Sequence, residues 1–226
     1  MPGTSALILE TSTPHASLAL AGPGDSLIER EFASDRSHHA CLFGPLAELL
    51  DLLAAEGIDR VLVGSGPGSY SGTRVGIAAA QGVALARNCP VVALPSILAL
   101  PSASGGGACL AIGDARRGGF WLARVTAYRV AEPPGLTEAA GLIAAVASAL
   151  RQGMPVLSFE DPVRFPLPGE LAGQVSQEFP SAGHLWQAWR MAGDSARAAW
   201  TAAVPQPLYL KPPHITPAKR PWLLPA

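Results

Sequence analysis

The chain has 226 residues, of which 49% are hydrophobic and 15% are charged; 16 basic and 17 acidic side chains give a formal net charge of −1. This composition is too apolar for a disordered protein, and the balanced charge argues against a dedicated nucleic-acid coat protein. The length suits one large domain or two small ones, with enough chain to bury a real hydrophobic core.

Neither a membrane span nor a secretion signal is expected. The longest charge-free stretch, Asn88 to Gly113, is interrupted by prolines and glycines, whereas a spanning helix needs about 20 consecutive apolar residues. The start of the chain lacks a basic region followed by an apolar one. Cys41, Cys89 and Cys109 have no CxxC spacing, which is typical of unpaired thiols in a reducing compartment. We therefore expect a cytoplasmic protein.

In chain order, the first half alternates strands and helices. Five short apolar strands are predicted there, at Ala6–Glu10, Ala16–Ala21, Leu27–Phe32, Arg60–Ser65 and Val91–Leu94. A long helix is predicted from after Ser37 to about Ala55, and further helices at Thr73–Arg87 and Ile97–Leu100. This order of elements is that of an α/β lobe.

The second half of the chain is also predicted to contain strands and helices, although its sequence patterns are weaker. A candidate linker, Ser102–Gly107, precedes two strands around a turn, an alanine-rich helix, another strand and a last helix. These elements are predicted at Cys109–Asp114, Phe120–Val130, Glu138–Arg151, Pro155–Phe159 and His184–Met191. We interpret the chain as a first α/β lobe at 1–104, which holds the two long helices, and a smaller second lobe at 105–226. A proline-rich tail, predicted to be extended or mobile, ends the second lobe.

The first long helix is apolar over more of its circumference than a surface helix needs. Its apolar arc spans roughly 220°, whereas about 100° is enough for a helix that covers one face of a sheet. Six of its residues are predicted to lie in the core or in a partner contact: Leu42, Phe43, Leu46, Leu49, Leu50 and Leu53. The helical pattern alone does not say which of them face the sheet.

The second long helix is also apolar nearly all round and carries a stripe of small residues. This stripe is predicted to allow close helix packing in an interface, and it comprises Gly72, Gly76, Ala79, Ala80 and Val83. One sheet covers only one face of each helix. Two explanations remain open for the other faces: burial within the chain, by the helices on each other and by the second lobe, or a subunit interface that both helices form.

A glycine-rich segment, Gly64 to Arg74, lies between a predicted strand and the second helix. It lacks the Gly-Lys-Ser/Thr of a phosphate-binding loop, the third glycine of a dinucleotide fingerprint and the central serine of a nucleophile elbow. Backbone amides at a helix start can hold an anion. The alternative that we favour is a tight turn that caps a buried helix.

Metal and catalytic signals are weak. His38 and His39 are adjacent, and Leu42 and Phe43 occupy the positions one helical turn further on, so no two histidines share a helix face. The charged segment from Asp114 to Gly118 is predicted to be a solvated turn with a local ion pair. We therefore assign no catalytic residue and no metal ligand.

Four segments together resemble one family. They are ALILETSTPHASLAL at residues 6–20, VGSGPGSYSGTRVGIAAAQGVALARNCPVVALPSILAL at 63–100, AIGDARRGGFWLARV at 111–125 and PLYLK at 207–211. In this order they are similar to the TsaB (YeaZ) family of bacterial tRNA threonylcarbamoyladenosine biosynthesis proteins, which is related to TsaD and to the proteins labelled M22. The middle segment is the most specific of the four.

The resemblance implies a two-lobe actin-like ATPase fold (Hsp70/sugar kinase, ribonuclease H-like) with a reduced second lobe. It implies a non-catalytic dimerisation or scaffold subunit that supports a TsaD-like catalytic subunit, which adds threonylcarbamoyl to the adenosine beside the anticodon of tRNA. A TsaE-like ATPase is a further expected partner, and a homodimer is expected to use the same two helices. The chain is expected to bind no cofactor of its own, because ATP and a metal ion are expected on the partner subunits. Little direct tRNA binding and no membrane contact are expected.

Three positions depart from the family pattern. The first strand ends in Glu10, where the family usually has Asp. In the segment around Asp114, Gly113 is inserted and Gly119 replaces an acidic residue. These changes weaken a nucleotide or metal site in the cleft and leave the helical surface untouched. The alternatives are a stand-alone enzyme of actin-like fold, either metallopeptidase or kinase-like, and a homodimeric binding module.

Overall fold

The computed structural model of the protein describes residues 5–33, 38–53 and 57–211. The predicted proline-rich tail at 212–226 and the last residues of the predicted first helix lie outside these ranges. The described helices are α1 (His38–Leu52), α2 (Tyr70–Arg87), α3 (Pro101–Ser104), α4 (Ala139–Arg151), α5 (Gly169–Ala172), α6 (Ala182–Met191) and α7 (Asp194–Ala202).

The first sheet is formed by the strands predicted in the first half of the chain. They are β1 (Ala6–Glu10), β2 (His15–Ala21), β3 (Leu27–Ala33), β4 (Arg60–Gly64) and β5 (Val91–Leu94). Their order in the sheet is β3-β2-β1-β4-β5, with antiparallel pairs among the first three strands and parallel pairs from β1 to β5. Every residue of β1 is buried, as expected for a central strand with both faces covered.

Helices cover both faces of this sheet. On one face, Leu7 and Leu9 of β1 pack in a cluster with Leu49 of α1 and Ile77 of α2. On the other face, Ile8 packs in a cluster with residues of α6 that include Trp186. Alternate residues of β1 point to opposite faces, so its unbroken apolar run fills both layers of core.

The second sheet contains β6 (Cys109–Asp114), β7 (Phe120–Thr126), β8 (Arg129–Val130), β9 (Gly135–Thr137), β10 (Val156–Ser158) and β11 (Val175–Gln177). Their order is β11-β10-β6-β7-β8, and β9 also pairs with β7. One face packs against α4 through Leu142 and Val146. The other face packs against the segment that follows β5, where Leu98 and Ala103 share a cluster with Trp121, so the two lobes share a hydrophobic core.

The structure differs from the predicted elements in several places: β9, β11, α5 and α7 were not predicted, and the predicted helix Ile97–Leu100 is a 3-10 helix at Ser96–Ala99. The predicted strand Phe120–Val130 is two strands, because Ala127 and Tyr128 adopt left-handed backbone conformations (φ 49° and 59°) that form a turn. The candidate linker begins as α3, with Ala103 buried. The actin-like ATPase fold that we predicted is confirmed, and the division of the chain at residue 104 stays a prediction.

No helix in the described part of the chain is long and apolar enough to cross a lipid bilayer.

Candidate functional site

The inward face of α1 belongs to the core of the chain itself. Leu42, Leu46, Leu49 and Leu53 follow one another at helical spacing and are all buried against the first sheet. Of the residues that we predicted for the core or a partner contact on this helix, these therefore lie in the core.

The outward side of α1 keeps an apolar stripe. Phe43 is 57% exposed, Ala47 is exposed, and Leu50 is half-buried at the edge of the core cluster. Arg30 of β3 forms an ion pair with Glu48 at 3.2 Å, which fixes α1 against the edge of the sheet. The stripe that starts at Phe43 therefore faces away from the sheet on a helix that is held in place.

The predicted stripe of small residues on α2 faces inward. Gly72, Gly76, Ala80 and Val83 are buried, and Ala79 is half-buried. A Cβ atom at Gly76 would lie 2.2 Å from Oγ1 of Thr11, and one at Gly72 would lie 2.2 Å from the carbonyl oxygen of Thr11. The close approach that these glycines allow is made with the chain's own backbone after β1. A larger residue at Gly76 would disturb this packing, so it is not a clean probe of a partner surface.

The outward face of α2 consists of other small and apolar residues. Ala78 and Gly82 are exposed, Leu85 is 86% exposed, and a Cβ atom at Gly82 would meet nothing within 4 Å. From the sequence, these residues were predicted only to belong to a helix that is apolar nearly all round. The structure shows which side faces outward, because Gly72 and Gly76 pack against the chain's own backbone. We call the outward residues of both helices the outer helical surface: Phe43, Ala47, Leu50, Ala78, Gly82 and Leu85.

A cleft of about 710 Å³ lies between the two lobes. Its first-lobe wall includes Thr13 and the loop from Ser65 to Ser69, and its second-lobe wall includes Asp114, Trp121 and Glu160. Both walls come from the ends of sheet strands, where α/β proteins place their ligand sites.

The carboxyl group of Glu10 lies beneath the cleft and is fully buried. Its Oε1 accepts a hydrogen bond from the backbone amide of Ser12 at 2.8 Å, and its Oε2 has no hydrogen-bond partner among the described residues. Burial raises the pKa of Glu10 above its ordinary value, while the hydrogen bonds of Ser12 oppose this shift. A Cβ atom at Gly64 would lie 1.9 Å from Oε2, so only glycine at this position leaves room for the longer acid.

The glycine-rich segment forms a helix cap. Ser69 is the N-cap of α2, and its hydroxyl accepts a hydrogen bond from the amide of Gly72 at 3.1 Å. The amide of Ser69 donates to the carbonyl oxygen of Ser12 at 2.6 Å, and the amide of Thr73 donates to the carbonyl oxygen of Ser69 at 3.0 Å. These three amides are satisfied within the chain, and the segment forms the tight turn that caps α2, as we favoured.

The turn between β6 and β7 is closed on itself, as predicted. Asp114 forms an ion pair with Arg116 at 3.3 Å and also accepts a hydrogen bond from the backbone amide of Arg116 at 2.6 Å. The actin-like fold implies a nucleotide and a metal ion in the cleft, and the acidic residues described here do not fit the metal ion. Glu10 is enclosed below the cleft, Asp114 is engaged with Arg116, and no three acidic, histidine or cysteine side chains of the described residues come together as metal ligands.

Two histidines have structural contacts. His15 stacks on Phe179 with ring centroids 3.9 Å apart, and Nδ1 of His184 lies 3.1 Å from the hydroxyl of Ser181 at the start of α6. The side chains of His38 and His39, and the whole of His214, lie outside what the structure describes.

The sequence analysis did not predict two further residues that line the cleft. Tyr209 and Lys211, near the end of the described chain, line the cleft together with residues of both lobes. The only signal for them was the PLYLK segment in the family resemblance, because no local pattern predicts a contact between residues separated by more than 100 positions.

A model of the TsaD family, described as tRNA N6-adenosine threonylcarbamoyltransferase, matches residues 32–215 of the chain. The chain belongs to the TsaD family. The predicted resemblance to TsaB (YeaZ) proteins within this family is confirmed by the relatives and structures that follow.

Two curated relatives are each described as tRNA threonylcarbamoyladenosine biosynthesis protein TsaB. The Haemophilus influenzae protein is 33% identical over 106 residues, which is 46% of this chain and 44% of that protein. The Escherichia coli protein is 29% identical over 126 residues, 52% of this chain and 53% of that protein. The chain thus spans about half the length of the curated relatives it matches.

Solved structures support the fold. YeaZ from Pseudomonas aeruginosa superimposes with a TM-score of 0.65 at 22% identity, covering 92% of this chain and 100% of that one. A further structure, described as a protein with similarity to the peptidase YeaZ from Pseudomonas aeruginosa, has a TM-score of 0.69 at 22% identity and the same coverage. At this identity the likeness concerns the fold alone.

Proposed function

We propose that this member of the TsaD family takes part in tRNA threonylcarbamoyladenosine biosynthesis as a non-catalytic scaffold subunit that binds a TsaD-like transferase. The observation that carries the proposal is the outer helical surface. Phe43 and Leu85 are large apolar side chains, more than half exposed, on two helices whose other sides fill the core of the first lobe.

The chemistry of this surface fits a protein partner. Ala47 lies one helical turn from Phe43, and Ala78 and Gly82 precede Leu85 on the same side of α2; these small exposed residues would allow a partner helix to approach closely. A specific interface buries on the order of 800 Å² on each side, and two neighbouring helices supply an area of that size. Exposed apolar patches on soluble domains are typical of binding sites.

The cleft supports a subunit without catalysis of its own. Glu10 is enclosed, Asp114 is paired with Arg116, and the start of α2 is capped by Ser69. ATP and a metal ion are then expected on the partner subunits, and this chain would bring no cofactor. A TsaE-like ATPase is the further partner, and the assembly would be cytoplasmic with little direct tRNA contact from this chain.

The test is a binding measurement with the TsaD-like transferase of the same organism. Phe43→Asp combined with Leu85→Asp should weaken the complex by about 30-fold or more, because two buried charges would replace the apolar centre of the interface. Isothermal titration calorimetry gives the dissociation constant, and circular dichroism should show an unchanged fold, since both side chains are exposed in the free chain.

The matched control is Val163→Asp, which places the same charge on an 83% exposed apolar residue of the second lobe. The control variant should bind like the wild type. Equal affinity of the doubly substituted variant and the control would refute the assignment of the interface to α1 and α2.

Each of the two alternatives predicts a different result in measurements of turnover and binding. A stand-alone enzyme would show metal-dependent or nucleotide-dependent turnover without a partner. A homodimeric binding module would self-associate through Phe43 and Leu85 and fail to bind the transferase. Threonylcarbamoyl transfer that requires both chains, together with no turnover by this chain alone, is the result expected of the scaffold.

A further inference from the structure

We propose that residues 207–211 are a latch that closes the cleft between the two lobes. This C-terminal latch is the last described segment of the chain, and it lies across the cleft with contacts on both lobes. The inference concerns the motion of the two lobes and does not depend on the proposed function.

The first-lobe end of the latch is an aromatic and cationic clamp. The hydroxyl of Tyr209 accepts a hydrogen bond from Nε of Arg74 at 2.8 Å. The guanidinium of Arg74 lies 4.4 Å from the ring centroid of Tyr70 and 5.7 Å from that of Tyr209, and the two rings are 5.6 Å apart. The amide of Leu208 also donates to the carbonyl oxygen of Ser65 at 2.8 Å. A side-chain hydrogen bond, a cation–π contact, a ring contact and a backbone hydrogen bond therefore hold the segment to α2 and to the end of β4.

The second-lobe end of the latch is hydrogen-bonded to the turn between β6 and β7. Nζ of Lys211 donates a hydrogen bond to the carbonyl oxygen of Arg116 at 2.8 Å. Leu210 packs against the core shared by the lobes, which includes Trp121 and Phe159. A Cβ atom at Gly119 would lie 2.6 Å from Nζ of Lys211, so the glycine in this turn leaves space for the lysine.

The contacts are arranged so that both ends must hold for the cleft to stay closed. Tyr209 and Lys211 are two residues apart, and the chain bends at Leu210 and Lys211, so the two side chains reach different lobes. One reaches α2 in the first lobe, and the other reaches a turn of the second lobe. The shared hydrophobic core acts as the hinge, and the latch restrains the opening at the mouth of the cleft.

The test measures access to the cleft wall by thiol labelling of the full chain. Thr13→Cys introduces a thiol at a cleft-lining position that is 3% exposed. In this background, Tyr209→Ala should accelerate labelling by about tenfold, the factor expected when one charge-assisted hydrogen bond and one ring contact are lost. Mass spectrometry of the modified peptides separates this site from the native cysteines.

Two controls separate opening of the cleft from general loosening. Val204→Ala truncates a 75% exposed side chain just before the latch and should leave the labelling rate unchanged. Native Cys109, buried in the core shared by the two lobes, should stay protected in every variant. Tyr209→Phe keeps the ring and removes the hydroxyl, so it should give an intermediate rate.

The other end of the latch gives an independent measurement. Lys211→Met should accelerate labelling at position 13 as Tyr209→Ala does, and the double variant should be no faster than the faster single variant, because one broken end already frees the segment. Labelling in Tyr209→Ala at the rate of Val204→Ala would overturn the latch. Equal acceleration at position 13 and at Cys109 would overturn it as well, since that pattern reports unfolding.

Discussion

At the scale of single residues, Glu10 shows how one side chain changes a site. The side chain of Glu10 is directed into the protein, where Gly64 leaves space for its carboxyl group. A fully buried carboxyl group favours its neutral form, and Oε2 of Glu10 has no hydrogen-bond partner among the described residues. Glu10 therefore acts as a buried polar group and does not reach the cleft.

The pKa of Glu10 makes the stability of the protein depend on pH. Because burial raises this pKa above the ordinary value of 4.5, the folded protein retains the proton more strongly than the unfolded chain does. The stabilisation is fully present below pH 4.5 and is lost as the pH rises through the folded-state pKa. Glu10→Gln is neutral at every pH. The melting temperature of the variant relative to the wild type should therefore rise between pH 5 and pH 8.

Glu132→Gln is the control for this prediction, because Glu132 is exposed. Differential scanning calorimetry of both variants at the two pH values should show a pH-dependent difference only for Glu10→Gln. A constant difference for Glu10→Gln across this range would mean that Glu10 is ionised in the folded protein at both pH values.

At the scale of elements, the start of α2 depends on one side chain. Ser69 accepts the amide hydrogen of Gly72 at 3.1 Å, and the stretch before it is pressed against the backbone after β1, where a Cβ atom at Gly68 would lie 2.2 Å from the carbonyl oxygen of Ser12. The helix thus begins at a position set by a cap and by a close backbone contact. That start places Tyr70 and Arg74 beside the latch.

Removal of this cap should destabilise the protein measurably. Ser69→Ala should lower the free energy of unfolding by about 1 kcal/mol, since the amide of Gly72 loses its partner. Urea denaturation followed by circular dichroism measures the change. Ser195→Ala, at an exposed position of α7, should change the free energy by less than about 0.5 kcal/mol. Equal effects of the two substitutions would contradict the role of Ser69 as a cap.

At the scale of the whole molecule, segments far apart in the chain complete the first lobe. The amide of Ala182 at the start of α6 donates to the hydroxyl of Ser17 in β2 at 2.7 Å, and Trp186 packs in the cluster with Ile8. The helix α6 therefore covers the face of the first sheet opposite α1 and α2, although it follows the strands of the second sheet. The first lobe needs this late segment to complete its core.

Truncation of the α6 contact should weaken the whole fold. Trp186→Ala should cost about 3–5 kcal/mol of unfolding free energy, because it leaves a large cavity between α6 and the first sheet. Met191→Ala, on the same helix at 56% exposure, should cost less than about 0.5 kcal/mol. Chemical denaturation of the full chain distinguishes the two, and a small effect of Trp186→Ala would show that α6 is dispensable for the first lobe.

The sequence by itself determined the class of this protein and most of its elements. Apolar runs predicted the strands of the first sheet, helical spacing predicted both long helices, and the turn residues predicted the cap before α2 and the ion pair in the turn after β6. These features follow from interactions between residues close together in the chain, which a local pattern records. The four segments that resemble the TsaB (YeaZ) family, of which 63–100 is the most specific, also placed the chain in its family.

Only the tertiary structure decided which sides of the helices face outward and what spans the cleft. The spacing of Gly72 and Gly76 suits a partner helix as well as it suits the chain's own Thr11, and the choice depends on how β1 packs beneath α2. The contact of Tyr209 with Arg74 joins positions 135 residues apart. Such pairings depend on the packing of the entire fold, because the free energy that selects them comes from burial shared among distant segments.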